Sequence, residues 1–282
     1  MILVFGRTGQ VATELQAFKH VKALGRKEAD LSHLQTCTDA IQFYKPHAVI
    51  NAAAYTSVDQ AEREQDLANT INGEAPAVIA KACNKLNIPM IHISTDYVFD
   101  GTGTHPWGVS DVPNPVNAYG RSKLIGEEAV KSSGCIYAIL RTSWVFSAHG
   151  NNFVKTMLHL SETRDHLTVV DDQIGGPTCA RDIALTCVSI AEQLAEDPHK
   201  SGVYHYSGQP EVSWCHFANA IFEKAGRLRI ANPISTSEFP TLAKRPSNSR
   251  LDCSSIKDVY GIPRPLWRES LDQVLLEIET RA

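Results

Sequence analysis

The sequence has no apolar run long enough to span a bilayer, and Met1 leads straight into a strand-like segment without the basic region that opens a secretion signal. A cytoplasmic chain with no membrane partner is the resulting expectation. Positive charge is also in short supply: 27 Lys and Arg stand against 31 Asp and Glu, a formal net charge of −4. Without a basic footprint, nucleic acid and anionic lipid surfaces are not expected partners. The 7 cysteines are odd in number and form no CxxC pair, which argues against a disulfide framework and a structural zinc site. Cys179, Cys187 and Cys215 fall among apolar helical positions and read as core. The 11 histidines show no HExxH spacing. His92 sits on an apolar strand, where a core or cofactor-lining role is the better reading. Internal repeats, low-complexity segments and a composition break between domains are all lacking.

What is present is an alternation of strand and helix. Residues 1–5 are a short apolar strand, and Gly6-x-x-Gly9-x-x-Ala12 leads from it into a helix reaching about Lys19. Val21–Leu24, Ala48–Asn51, Pro89–Ile93 and Ile136–Leu140 read as further strands. Helices are expected from Ser32, whose Ser32-x-x-Gln35 looks like a capping box, to just before Pro46, and again over Pro76–Leu86. Such a pattern over the first 140 or so residues predicts an α/β fold with a doubly wound parallel sheet. Asp59, Glu62, Arg63, Glu64 and Asp66 read as a solvated helix face. After Trp144 the alternation loosens: Asn152–Thr163 and Ala180–Leu194 are helical by period, and Leu167–Val170 and Val203–Tyr206 are short strands. The loop Asp100-Gly101-Thr102-Gly103-Thr104 and the proline-bearing stretch 105–116 form a long connection able to cover a site.

Two stretches carry chemistry. Ile93-Ser94-Thr95-Asp96-Tyr97-Val98-Phe99 leaves a buried strand, so Thr95 and Asp96 fall at its carboxyl edge, where open α/β sheets bind ligands. Tyr119 and Lys123 lie four apart in a helix entered at Asn114-Pro115 and stopped by Gly134, and so share one face. An ammonium beside a phenol lowers the tyrosine pKa from its reference near 10, making it a proton donor and acceptor near neutrality. A Tyr and a Lys at this spacing are weak evidence alone, and the glycine-rich turn and the strand-end hydroxyl supply the context.

Together these pieces resemble the extended short-chain dehydrogenase/reductases, and more narrowly the dTDP-4-dehydrorhamnose reductase (RmlD-like) family. The matching segments run in the family's order along the chain: Phe5-Gly6-Arg7-Thr8-Gly9-Gln10-Val11, Asn51-Ala52-Ala53-Ala54-Tyr55-Thr56-Ser57-Val58-Asp59, Ser94 to Phe99, Tyr119 to Lys123, Arg141-Thr142-Ser143-Trp144-Val145, Gly150-Asn151-Asn152-Phe153 and Arg245 to Leu251. The resemblance implies a Rossmann-type sheet, mainly residues 1–144, with a smaller C-terminal substrate-binding lobe, mainly 145–282, interleaved with late Rossmann elements at about 180–205. It implies an NAD(P)H-dependent oxidoreductase of dTDP-rhamnose biosynthesis that reduces the C4 ketone of dTDP-4-dehydro-L-rhamnose or a related nucleotide sugar. Tyr119, Lys123 and Thr95 would be catalytic, with Lys123 also holding the nicotinamide ribose.

The same resemblance places Gly6, Gly9, Gln10, Val11, Asp30, Leu31, Ala53, Ala54 and Thr56 on the dinucleotide. Gly25-Arg26-Lys27 falls where the adenosine ribose would lie. A guanidinium there accepts a 2′-phosphate, so Arg26 favours NADPH, with NADH still open. Thr95, Asp96, Trp144, Asn152 and Arg250 are the expected substrate contacts, with Asp172–Thr178 nearby. Dehydratases of this superfamily need an acid and base pair after the threonine, and Tyr97 follows Asp96 here, which disfavours dehydration. A non-catalytic dinucleotide-binding subunit, resembling the regulatory subunit of methionine adenosyltransferase, is the alternative. Some family members dimerise through magnesium held by glutamates. Glu14 fits the first position but Arg181 stands at another, so magnesium is left unassigned and a homodimer remains open.

Overall fold

In the computed structural model, which describes residues 1–164 and 166–281, six parallel strands form the central sheet. They are β1 (Ile2–Phe5), β2 (Val21–Leu24), β3 (Ala48–Asn51), β4 (Met90–Thr95), β5 (Tyr137–Thr142) and β6 (Gly202–His205), ordered β6-β5-β4-β3-β1-β2. The strands are short continuous apolar runs because both faces are covered by helices. Helices α2 (Leu34–Tyr44), α3 (Ala75–Leu86) and α4 (Ala118–Ser132) form one layer, packing with Leu3, Phe5 and Val49. On the other face α1 (Gln10–Leu15) packs on α6 (Ala180–Glu196), against Ile2, Val4 and Ile50. The chain leaves β1 toward β2 on one side, then crosses to β3 on the other. The switch point therefore lies between β1 and β3, the place where such sheets open a ligand crevice.

A third core is built from α5 (Phe153–Thr163), α7 (Trp214–Lys224) and the C-terminal α9 (Trp267–Arg281) around Phe146, Phe217 and Trp267. α8 (Ser254–Tyr260) returns to the main core through Ile256 and Tyr260. All seven cysteines are buried and unpaired, distributed over the three cores. No helix among the described residues is long and apolar enough to cross a membrane.

Several local expectations are corrected. α1 ends at Leu15 rather than near Lys19, because Gln16 turns its amide back to the Arg7 and Ala12 carbonyls. Ser32 makes no capping box. Its amide and hydroxyl both donate to Asp30 Oδ1, and α2 starts after His33. α4 is entered at Asn117, whose side chain accepts from Gly120 N at 2.8 Å, and not at Asn114-Pro115. The acidic stretch is solvated only in part: Arg63 and Asp66 are exposed, whereas Asp59 binds Arg245 at 2.7 Å, Glu62 accepts from Ala118 N at 2.7 Å, and Glu64 accepts from the Tyr55 hydroxyl at 2.6 Å. Asp59 and Glu62 fasten the short helix Val58–Ala61 to segments remote in sequence, and Glu64 ties the start of Gln65–Asn69 back to Tyr55.

Candidate active site

The crevice at the switch point is lined by backbone. Gly6 leaves β1 at φ 111°, and a Cβ there would come within 3.3 Å of the Ala52 and Ala53 backbone. Only glycine allows the β1 and β3 exits to approach this closely. Gly9 faces open space at the start of α1, so the helix N-terminus and its free amides are accessible to an anion. These features fit a dinucleotide pyrophosphate. Gln10, by contrast, is held inside the protein: its Oε1 accepts from the Ser147 hydroxyl at 2.7 Å. Arg26 is exposed beyond the end of β2, beside Glu28, whose carboxylate accepts from Gly25 N at 3.0 Å and pairs with Arg7 and Lys22.

At the carboxyl end of β4 the chain makes a 3₁₀ turn, Asp96–Val98, capped by Thr95. The Thr95 hydroxyl accepts from Tyr97 N at 3.2 Å and donates to Asp96 Oδ1 at 3.1 Å. Asp96 Oδ2 is buried with no hydrogen-bond partner among the described residues. Burial pushes the Asp96 carboxyl up to about 6, against the pull of Ser249 and Thr95. Folding therefore favours the protonated form, and stability tied to this group falls as pH rises through the interval from 3.8 to about 6. An Asp96→Asn variant, which stays neutral, should gain stability relative to the parent at pH 8 but not at pH 4, by about 3 kcal/mol on the shift alone. Urea unfolding at the two pH values measures it, and an equal difference at both would refute the charge cost.

α4 brings Tyr119 to this edge. Tyr97 and Tyr119 meet edge to face, with ring centroids 5.7 Å apart. Contact is close because Gly120 lies on the Tyr97 carbonyl, where a Cβ would come to 2.1 Å from the oxygen. Gly120→Ala should displace α4 and cost about 3 kcal/mol of stability by overpacking, read by urea denaturation; an undiminished midpoint would show that the helix can shift freely. Burial raises the Tyr119 pKa above its ordinary value, the Asp96 and Tyr97 charges add to that, and a Thr95 hydrogen bond opposes it.

The expectation that Lys123 lowers the tyrosine pKa is not met in this state. Lys123 is buried, and its Nζ donates to the Ile93 carbonyl at 2.8 Å and lies 3.3 Å from His92 Nε2. Its own pKa is pushed down to about 8 by burial, with Glu127 opposing.

The other expected substrate residues divide. Trp144, in the left-handed region at φ 49°, stacks flat on Trp214 with centroids 3.6 Å apart, so one face of the indole is already covered. Arg250 follows the strand Asn248–Ser249, which pairs with Ile174–Gly175, and the Asp172–Thr178 stretch thus joins it near Asp96. Asn152 caps α5 and gives its amide to the Ser147 and His149 carbonyls, so its polar groups are spent within the protein. Asp30 uses Oδ1 to hold Ser32, and Leu31 is buried in the core beneath. Ala53, Ala54 and Thr56 follow β3 at the crevice, with Tyr55 pinned between them by Asn72.

Three features escaped sequence reasoning. Arg245 ties Asp59 and the Tyr97 hydroxyl together beside the site. Trp214 backs Trp144. Behind the tyrosine, Glu127 and Arg141 form a fully buried ion pair at 2.6 Å that also receives the Ser94 hydroxyl. An isolated buried-type Arg in the apolar strand 136–142 was the one available signal for the last.

A family model described as the RmlD substrate binding domain matches residues 1–280. The chain belongs to that family. A dTDP-4-dehydrorhamnose reductase of Sinorhizobium fredii is 42% identical over 279 residues, covering 95% of this chain and 94% of that protein. Its counterpart in Escherichia coli K12 is 38% identical over 296 residues, covering 99% and 98%. The crystal structure of the Bacillus anthracis dTDP-4-dehydrorhamnose reductase in complex with NADP superposes with a TM-score of 0.90 at 35% identity, covering 98% of each chain. At the position that left magnesium unassigned, Arg181 stands 3.5 Å from Glu14 and 3.1 Å from Glu277, and His149 lies 3.0 Å from Glu14. Glu14, His149 and Glu277 each offer a ligand atom within 4.8 Å of the others, with the half-exposed Arg181 beside the two carboxylates, and magnesium stays unassigned.

Proposed function

We propose that the chain reduces the C4 ketone of dTDP-4-dehydro-L-rhamnose, or a closely related nucleotide 4-keto-6-deoxysugar, to dTDP-L-rhamnose with NADPH. The observation that carries this reading is the convergence of Thr95, Asp96 and Tyr119 at the end of β4, beside a backbone-lined phosphate crevice. When bound, NADPH supplies the hydride. Tyr119 holds its proton in the empty site, since burial keeps the phenol protonated, and gives it to the alkoxide forming at C4. Thr95 donates to the same oxygen once its hydroxyl turns from Asp96 Oδ1, and Trp144, Asp96 and Arg250 hold the sugar and diphosphate. The part of the chain around the third core serves as the substrate lobe, and the protein works in the cytoplasm, as a monomer or a homodimer.

Oxidation of NADPH by the purified protein, with the keto sugar generated in place by the upstream enzymes, tests this directly. Rapid oxidation supports it, whereas tight NADPH binding without turnover of any nucleotide sugar returns the case to a non-catalytic dinucleotide-binding subunit. In the same assay Arg26→Ala should raise the KM for NADPH about tenfold and leave that for NADH unchanged, one charge-assisted hydrogen bond being worth about that much. Equal effects on both cofactors would free Arg26 of the 2′-phosphate.

A further inference from the structure

Lys123 is one end of a row of buried polar groups that reaches the crevice. At the other end, Ala53 N donates to Asn51 Oδ1 at 3.3 Å. Asn51 Nδ2 lies 3.2 Å from His92 Nδ1, and His92 Nε2 lies 3.3 Å from Lys123 Nζ. Lys123 Nζ closes the row on the Ile93 carbonyl at 2.8 Å. Asn51, His92 and Lys123 are 1%, 0% and 2% exposed, so none of these three side chains can turn to water.

The count of protons along this row is constrained. A neutral imidazole carries one N–H and one acceptor nitrogen, and an ammonium has three donors and no acceptor. With the Asn51 oxygen taken by Ala53, its NH₂ faces Nδ1, which must accept. The ring proton then sits on Nε2 and points at Lys123, which can receive it only as a neutral amine. Charging the lysine requires the reverse order: Nε2 accepts, Nδ1–H donates to a turned-over Asn51 amide, and the Ala53 N–H loses its acceptor and is free to face the crevice.

We propose that His92 is a positioning residue that locks the proton state of Lys123 to the Ala53 amide, so that an anionic or hydroxyl acceptor arriving at Ala53 and a proton arriving on Lys123 come together. The inference rests on the dinucleotide reading of the crevice. Above about pH 8 the empty site holds the amine, so in that range only the loaded site carries an ammonium able to act on Tyr119. Burial supports the starting state, since it drives the His92 pKa well below its ordinary value and that of Lys123 down. The charged groups around Lys123 are otherwise matched: Glu127 one turn along α4 is paired with Arg141 from β5, with His205 from β6 behind that arginine and kept neutral by burial and by the arginine's charge. β3 contributes only the Asn51 amide.

Nitrogen-15 NMR of the full-length protein at pH about 8.5, above the free lysine's pKa of about 8, tests the inference with and without NADPH. The His92 signals are assigned by their loss in His92→Gln. The expected result is the Nε2–H tautomer in the free protein and the Nδ1–H tautomer in the complex, with no imidazolium in either. Calorimetric titration of NADPH in two buffers of different ionisation enthalpy should show net uptake of about three quarters of a proton per site, the fraction of the free lysine that is neutral at that pH. Binding with an unchanged tautomer, or with no proton uptake, overturns the inference and leaves the cofactor reading standing. Absence of binding overturns both.

Discussion

Tyr119→Phe is expected to lower kcat about a hundred- to ten-thousand-fold, the range that a positioned proton donor contributes, while NADPH binding stays within about twofold. Removal of one hydroxyl leaves the ring and its edge-to-face contact with Tyr97 in place, so the fold should be indifferent. What disappears is the phenol whose pKa the Thr95 hydroxyl pulls on at the end of β4. Because burial keeps the phenol of the empty site protonated, the loss should be complete at the acid end of the pH–rate profile, where the donor is fully protonated. Single-turnover measurement of NADPH oxidation separates this from slow product release. A variant with parental single-turnover rates would remove Tyr119 from the proton transfer.

Arg141→Met should be the most destabilising of the changes considered at a distance from the reacting groups, costing about 3–5 kcal/mol, because it leaves the Glu127 carboxylate buried without its cation. Both side chains are almost entirely out of solvent, at 1% and 0% exposure. Three guanidinium contacts to Glu127, at 2.6, 2.9 and 3.2 Å, hold the pair, and the Phe99 ring lies under the guanidinium carbon at 5.0 Å. The double variant Arg141→Met with Glu127→Gln removes both charges and should recover more than half of the loss, measured by urea denaturation at one pH. A double variant as unstable as the single would show that packing, not the orphaned charge, sets the cost.

Much of the sheet was legible because a parallel strand covered on both faces is a continuous apolar run. Val21–Leu24 and Ala48–Asn51 stand where those runs begin and end, and Leu167–Val170, in a separate two-stranded sheet, also keeps its expected bounds. Helix entries were harder. Asn114-Pro115 offers the same local chemistry as Asn117, and the choice is made by the distant Lys244 carbonyl, which receives the Asn117 amide at 2.8 Å. Asp59, Glu62 and Glu64 misled for the same reason: a charged helix stretch looks solvated unless Arg245, Ala118 and Tyr55 are known to lie against it. At the site, Thr95 and Asp96 follow from a strand end and Tyr119 from a helix start. The direction taken by Lys123 does not, since it depends on how close α4 lies to β4 and on His92 waiting there.

The seven buried thiols give the chain a built-in record of its own openings. Cys37, Cys83 and Cys135 lie in the layer under α2 and α3, Cys187 and Cys253 in the layer under α1 and α6, and Cys179 and Cys215 in the third core. Burial raises the pKa of each, so none is a ready nucleophile while its layer is closed. Alkylation of any one of them by a thiol reagent therefore clocks the breathing of the layer that holds it, and the three sets of rates tell whether the sheet and the third core come apart as one cooperative unit or in sequence.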